Sequence, residues 1–286
     1  MKRINGLPEL DFRATSATRD ALHAYARVLG NVLKSFRSTR KHWWHASLRP
    51  SLTGLTTGIV NAGTDFELAL NLRESQLLGR TSGGAKFAEA LQGQPTLILA
   101  TQINDFLIAG GVDDQQIPKV SEYNDDGFAG YSKDHAANVS QVLSFVTAAM
   151  TEFRSGIREE TSPIQLWPHH FDLSMLWLPG EKIRGQDPMD EEYSDKQMNF
   201  GFTFGDEGIP EPYFYVTVYP LPDGFERLQL PAGSRWQSDG FSGVVLPYQS
   251  LIENSDPSDY LLELWNGLLS AGRDQMLTSI DNGQSQ

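Results

Sequence analysis

Strand-forming runs follow one another along this chain with no helix between them, and that order restricts the fold more than any other feature of the sequence. A helical pattern comes first. Leu22, Tyr25, Leu29, Leu33 and Phe36 recur at helical spacing over residues 16–36, with Asp20 in the first turn and Lys34, Arg37 and Arg40 near the end, where the helix dipole favours them. Strand-like runs then occupy residues 43–49, 55–60, 66–72 and 76–82. Asn61-Ala62-Gly63-Thr64-Asp65 reads as a hairpin connection, and Gly83-Gly84 ends the series. Gln94-Pro95 opens a segment, 96–110, that reads as helix, although its apolar start, Thr96-Leu97-Ile98-Leu99-Ala100, fits a buried strand equally well.

The order then recurs. After a turn-rich connection over 113–130, a second helix covers residues 133–158, with Ser132 as N-cap and Val139, Val142, Val146, Met150, Phe153 and Ile157 on one stripe. Strands follow at 164–178, 199–204 and 213–219, with an acidic loop at 186–196 and an irregular stretch at 221–247. Asp256 and Pro257 start the last helix, and 281–286 is a polar tail. Consecutive strands imply antiparallel pairing, so the expected class is α+β: mainly antiparallel sheets with long flanking helices. We read residues 1–286 as one unit with two helix–meander–helix halves, 14–115 and 131–280.

Composition narrows the chemistry. With no cysteine, disulfides, thiolate zinc sites, iron–sulfur clusters and a cysteine nucleophile are excluded. A net charge of -13 repels phosphate backbones and anionic lipid, so neither nucleic acid nor membrane is the expected partner. No apolar run is long enough to span a bilayer and Lys2-Arg3 leads into no apolar stretch, so a soluble cytoplasmic protein is expected. Residues 11–50 run against the average, holding eight of the lysines and arginines against Asp11 and Asp20. The plainest reading is a helix paired with acidic neighbours; the other is a local anion-attracting face.

Two aromatic–histidine segments stand out, Lys41-His42-Trp43-Trp44-His45-Ala46-Ser47-Leu48 and Leu166-Trp167-Pro168-His169-His170-Phe171-Asp172-Leu173. Together they hold four of the six histidines and three of the six tryptophans. If both are strands, side chains alternate faces, so His170, Asp172 and Ser174 share one face of the second and His45 and Ser47 the matching face of the first. Trp167, His169, Phe171, Leu173 and Met175 then line an apolar, core-facing side. Convergence of His45, His170 and Asp172 would suit a divalent metal, or a base with its orienting carboxylate. The aromatic rings of Trp43, Trp44 and Trp167, with His42, would suit stacking on a planar small molecule. The alternative is that the histidines are hydrogen-bonded within a sheet and the tryptophans belong to the core. Thr81-Ser82-Gly83-Gly84-Ala85-Lys86 reads as a plain turn before an anion cradle, and Asp187, Asp190, Glu191, Glu192 and Asp195 as a solvated loop before a calcium site.

A string of short motifs resembles a bacterial family, domain of unknown function 5996. The residues that carry it are Leu7-Pro8-Glu9-Leu10, His42-Trp43-Trp44, Gly54-Leu55-Thr56-Thr57, Ser162-Pro163 leading to Trp167 and Phe171-Asp172-Leu173, then Tyr215, Tyr219-Pro220, Leu246-Pro247-Tyr248 and Asp256-Pro257. The resemblance spans nearly the whole chain and implies a single family unit, with no activity to carry over. Lys41 stands where the family usually has Asn, His169-His170 where small or aromatic residues are found, and Glu181 where Arg is common. If His170 is not a family feature, His42 with Asp172 becomes the better pair. Two functions follow as expectations: a metal-assisted hydrolase with His45, His170 and Asp172 at its centre, or a non-catalytic small-ligand-binding or assembly module. The sequence fixes no oligomeric state.

Overall fold

The computed structural model describes residues 6–190 and 192–277. The polar tail expected at 281–286 and the start of the lead-in lie outside the described residues. The chain is α+β with two antiparallel sheets, and it divides into two compact units. The first comprises residues up to Phe145 together with Gln165–Asp172; the second comprises Val146–Ile164 and Leu173 onward. The partition therefore runs differently from the halves read from the sequence, because the segment after the second long helix belongs with the first unit.

In the first unit, α1 (Ser16–Phe36) buries Leu22, Tyr25, Leu29 and Leu33, the stripe that its period demanded. Each fully buried leucine contributes about 1.5–3 kcal/mol. A five-stranded meander follows: β1 (Arg49–Ser51), β2 (Gly54–Thr56), β3 (Phe66–Asn71), β4 (Gln76–Thr81) and β5 (Lys86–Ala90), paired in sequence order. In β3 the buried residues are Phe66, Leu68 and Leu70, and the register sets Leu70 against both Leu55 and Leu77. Residues 96–110 settle as helix α2 (Thr96–Ala109), with Leu99, Ile103, Phe106 and Leu107 buried at helical spacing. The glycine turn 81–86 joins β4 to β5 as a hairpin, so the plain-turn reading holds there. Helix α3 (Lys133–Ser155) begins in this unit, where the Ser132 hydroxyl accepts from the His135 N–H at 3.4 Å.

The second unit takes the rest of α3. Its sheet has the order β11-β12-β10-β9-β8-β6, from β6 (Glu160–Thr161), β8 (Asp172–Leu178), β9 (Gln197–Thr203), β10 (Tyr213–Tyr219), β11 (Arg235–Gln237) and β12 (Gly243–Pro247). Phe153 of α3 packs on Phe200 of β9 and on Trp265, with ring centroids 4.8 and 5.3 Å apart. Trp265 lies on α5 (Pro257–Leu277), which follows the short α4 (Tyr248–Ile252); the Asp256 carboxylate accepts from the Asp259 N–H, as its capping role required. The stretch expected to be irregular contains β11 and β12, whose short strands were masked by the surrounding Pro and Gly. Asp187 and Asp190 accept backbone N–H bonds from Met189, Glu192 and Tyr193, so these carboxylates cap turns in the acidic loop.

Candidate functional site

The aromatic–histidine segments do not form the strands that alternation suggested. Residues 41–43 make a 3-10 turn in which His42 (φ 55°) and Trp43 (φ 53°) adopt left-handed backbone, a conformation no strand accommodates. The run expected as a strand over 43–49 is extended only from Leu48 onward. The second run breaks at Pro168, which has no N–H to donate. The N–H groups of His170 and Phe171 instead close a turn on the Trp167 carbonyl at 3.2 and 2.8 Å, with Phe171 at φ 56°. The short β7 (Gln165–Trp167) precedes the turn and β8 starts after it.

What brings the segments together is a pair of backbone hydrogen bonds. Leu48 and Leu166 exchange N–H···O bonds of 3.0 and 2.9 Å. Beside this bridge, the fully buried Gln165 side-chain oxygen accepts from the Ser47 hydroxyl at 2.7 Å and from Arg49 Nη1 at 2.8 Å. Helix α1 supplies the floor. His23, Arg27, Gly30 and Lys34 stand at i, i+4, i+7 and i+11, a single helical stripe. A β-carbon at Gly30 would lie 2.9 Å from Pro168 Cγ, so only glycine lets the second segment rest on the helix here. His23 Nε2 lies 3.2 Å from the His169 carbonyl oxygen, and its ring stacks on Phe171 at 5.6 Å.

The rings form a connected set. Trp43 stacks on His45 (5.6 Å, 28°) and reaches His169 at 6.3 Å; Trp167 also meets His169, at 6.2 Å, and His169 meets His170 at 4.5 Å. His42 packs against Trp44 at 5.4 Å. His45 is buried, and its Nδ1 accepts the Arg40 N–H at 3.2 Å, which leaves the ring proton on Nε2. His42 and Asp172 are buried as well, while His169 and His170 reach solvent and Trp43 is half-buried.

Among the described residues, no three His, Asp or Glu side chains are gathered closely enough to hold a metal. The three-ligand arrangement expected of His45, His170 and Asp172 is therefore not formed. The turn at 168–171 takes His170 out of the alternation that was to align it with Asp172, and leaves it solvent-exposed while His45 and Asp172 are buried. Sequence reasoning passed over His23 and Gly30, assigned His169 to an apolar face, and read Arg27 and Lys34 only as part of the basic stretch 11–50, apart from the aromatic–histidine segments. The helical spacing of His23, Arg27, Gly30 and Lys34, with a glycine in mid-helix, was the available signal.

The electrostatics of this set are one-sided. Burial, then the neighbouring His170, Lys34, His23 and Arg27, push the His169 imidazole down to about 4; its residue reaches solvent, so water screens part of that repulsion. The His23 imidazole is also lowered, chiefly by burial, partly offset by the His169 carbonyl. Lys34 Nζ sits 5.5 Å from the Trp43 ring centroid, within cation–π range. Among the described residues no carboxylate forms an ion pair with Arg27 or Lys34; the nearby pair is Arg19 with Asp20. The expectation that this helix pairs its cations with acidic neighbours fails for these two.

The fold and the site thus define an α+β protein with two antiparallel sheets, whose first unit carries an aromatic–imidazole cluster on a basic helix stripe. The chain belongs to the DUF5996 family, a family of unknown function, whose model matches residues 7–276. No curated protein and no solved structure matches it. No helix among the described residues is long and apolar enough to cross a membrane.

Proposed function

We propose that the first unit binds a small planar molecule at the surface formed by Trp43, His169 and His170, backed by His42, Trp44, His45 and Trp167. One observation carries this reading. Of the four described non-glycine residues with positive φ, three are His42, Trp43 and Phe171, all within the two aromatic–histidine segments. Left-handed backbone at such residues costs about 1–3 kcal/mol each, and persists where the surroundings fix it and a function benefits. Here the strain holds rings at set positions on the unit's surface, where a half-buried indole and two solvent-reaching imidazoles offer stacking faces and N–H donors. Asp172, buried beside Phe171, fits a positioning role better than contact with solvent-borne substrate.

Metal-assisted hydrolysis has less support, because its three proposed ligands are not gathered. Titration with planar heteroaromatic and aromatic compounds, followed by tryptophan fluorescence in the full chain and in Trp43→Phe, tests the reading. A saturable change in the wild type that Trp43→Phe abolishes is expected. No response from any compound, with stoichiometric zinc, manganese or iron in the purified protein that His170→Ala loses, would overturn it in favour of the metal centre.

A further inference from the structure

The α1 stripe carries two cations, Arg27 and Lys34, toward the aromatic–histidine segments. The chain carries a net charge of -13, so carboxylates are plentiful. Yet the exposed Arg27 and Lys34 pair with none among the described residues. Among the described residues neither bonds a neighbouring carbonyl in the way that Arg37 Nη2 bonds the Thr57 oxygen at 2.7 Å. The groups acting on His169 are His170, Lys34, His23 and Arg27, with no acid among them. The acid acting on His23 is Asp20, the weakest influence there, and its carboxylate is already engaged by Arg19 at 2.9 Å. Lys34 stands 5.5 Å from the Trp43 ring centroid with Arg27 on the same helix stripe, so the site's positive charge lies against a low-dielectric ring, an arrangement that focuses potential toward an incoming anion.

Resting on the reading that this surface binds a small planar molecule, we infer that the ligand carries an oxyanion, a carboxylate or a phosphate monoester, received by Lys34 and Arg27 with the His169 and His170 imidazoles as further donors. Lys34 is placed by its contact with Trp43, so the ammonium that holds the anion also borders the ring that holds the ligand's flat portion. Arg27, two turns before Lys34 on the same stripe, offers a planar fork suited to a two-oxygen group. The His169 imidazole, whose protonation burial and its neighbours oppose, donates an N–H bond beside the two cations without adding repulsion to the stripe.

The test uses the full chain and three probes of equal ring size: benzoate, phenyl phosphate and neutral benzamide. Binding is read by tryptophan fluorescence and calorimetry at several salt concentrations. The expected result is that at least one anion binds about tenfold more tightly than benzamide and weakens with salt. Arg27→Gln or Lys34→Gln should each reduce anion affinity about fivefold, the effect of one exposed charge contact, and leave benzamide unchanged, while Lys34→Arg retains most of the affinity. Both positions are exposed, so these variants keep the fold, which circular dichroism verifies. Preference for benzoate over phenyl phosphate assigns a carboxylate ligand, and the reverse a phosphate ester. If benzamide binds as tightly as either anion, or the Gln variants bind anions as well as the wild type, the inference falls while the planar-ligand reading stands. If no probe binds, the inference falls, and the planar-ligand reading stands or falls with the wider panel of heteroaromatic compounds and the metal content of the protein.

Discussion

Replacing Gly30 by alanine isolates the contact that seats the second aromatic–histidine segment on α1. Alanine in a helix interior is favoured over glycine by about 1 kcal/mol, so propensity alone predicts stabilisation. The structure predicts the opposite sign. The new β-carbon would meet Pro168 Cγ at 2.9 Å and Cβ at 3.0 Å, against ordinary carbon–carbon separations of about 3.5–4.0 Å, and a proline ring has no torsion by which to swing aside. Overpacking of this kind costs about 1–3 kcal/mol, so Gly30→Ala should lose about 1 kcal/mol net. The control is Gly267→Ala in α5, where a β-carbon meets nothing within 4 Å; it should gain about 1 kcal/mol. The two substitutions share their propensity term, so their difference of about 2 kcal/mol measures the Pro168 contact. Urea unfolding followed by circular dichroism, with hydrogen exchange on α1 and α5 peptides to assign each effect to its unit, gives both values. A Gly30→Ala protein as stable as the wild type, alongside a stabilised Gly267→Ala, would refute the close approach and with it the placement of the site.

Two more expectations follow from charge. In an NMR titration the His169 imidazole should take up its proton near 4, where the usual value is 6.5, and Lys34→Gln should move the midpoint upward. The unfolded chain binds this proton first, so His169 lowers stability as pH falls from 6.5 toward 4 and has no effect above 6.5; an unshifted midpoint would contradict the crowded cationic setting. In the second unit, Arg273 holds Glu159 through two 2.7 Å bonds, which with the other donors around it depress the carboxyl to about 2 from 4.5. Its stabilisation is complete above 4.5 and lost as pH falls toward 2, so Glu159→Gln, in a pair about a third exposed, should cost about 1 kcal/mol at pH 7 and almost nothing at pH 2 when unfolding is measured at both.

Much of the architecture was legible because it rests on local period. The stripe Leu22–Tyr25–Leu29–Leu33 declared α1, the alternation of Phe66, Leu68 and Leu70 declared β3, and Asp256-Pro257 declared the start of α5. Elsewhere period misled. Residues 164–178 alternate plausibly as one strand, yet a proline and a left-handed Phe171 break them into two, and β8, buried along its whole length, shows no alternation of exposure to read. The same break separates His170 from Asp172, so the three ligands read from that shared face are not gathered among the described residues. The basic residues of α1 were visible in the sequence, but whether carboxylates answered them depended on which neighbours folding supplied.

By itself the sequence determined the α+β class, the antiparallel meanders, the exclusion of cysteine chemistry and the two aromatic–histidine segments, since each follows from residue type or from spacing within a few turns of chain. Only the tertiary structure decided that Leu48 meets Leu166, that Gly30 admits Pro168, and that His23, Arg27 and Lys34 stand beside the Trp43 and His169 rings. Those pairings join residues far apart in the chain. Their energies come from packing and desolvation that exist only once the first unit is assembled, and no local pattern encodes them.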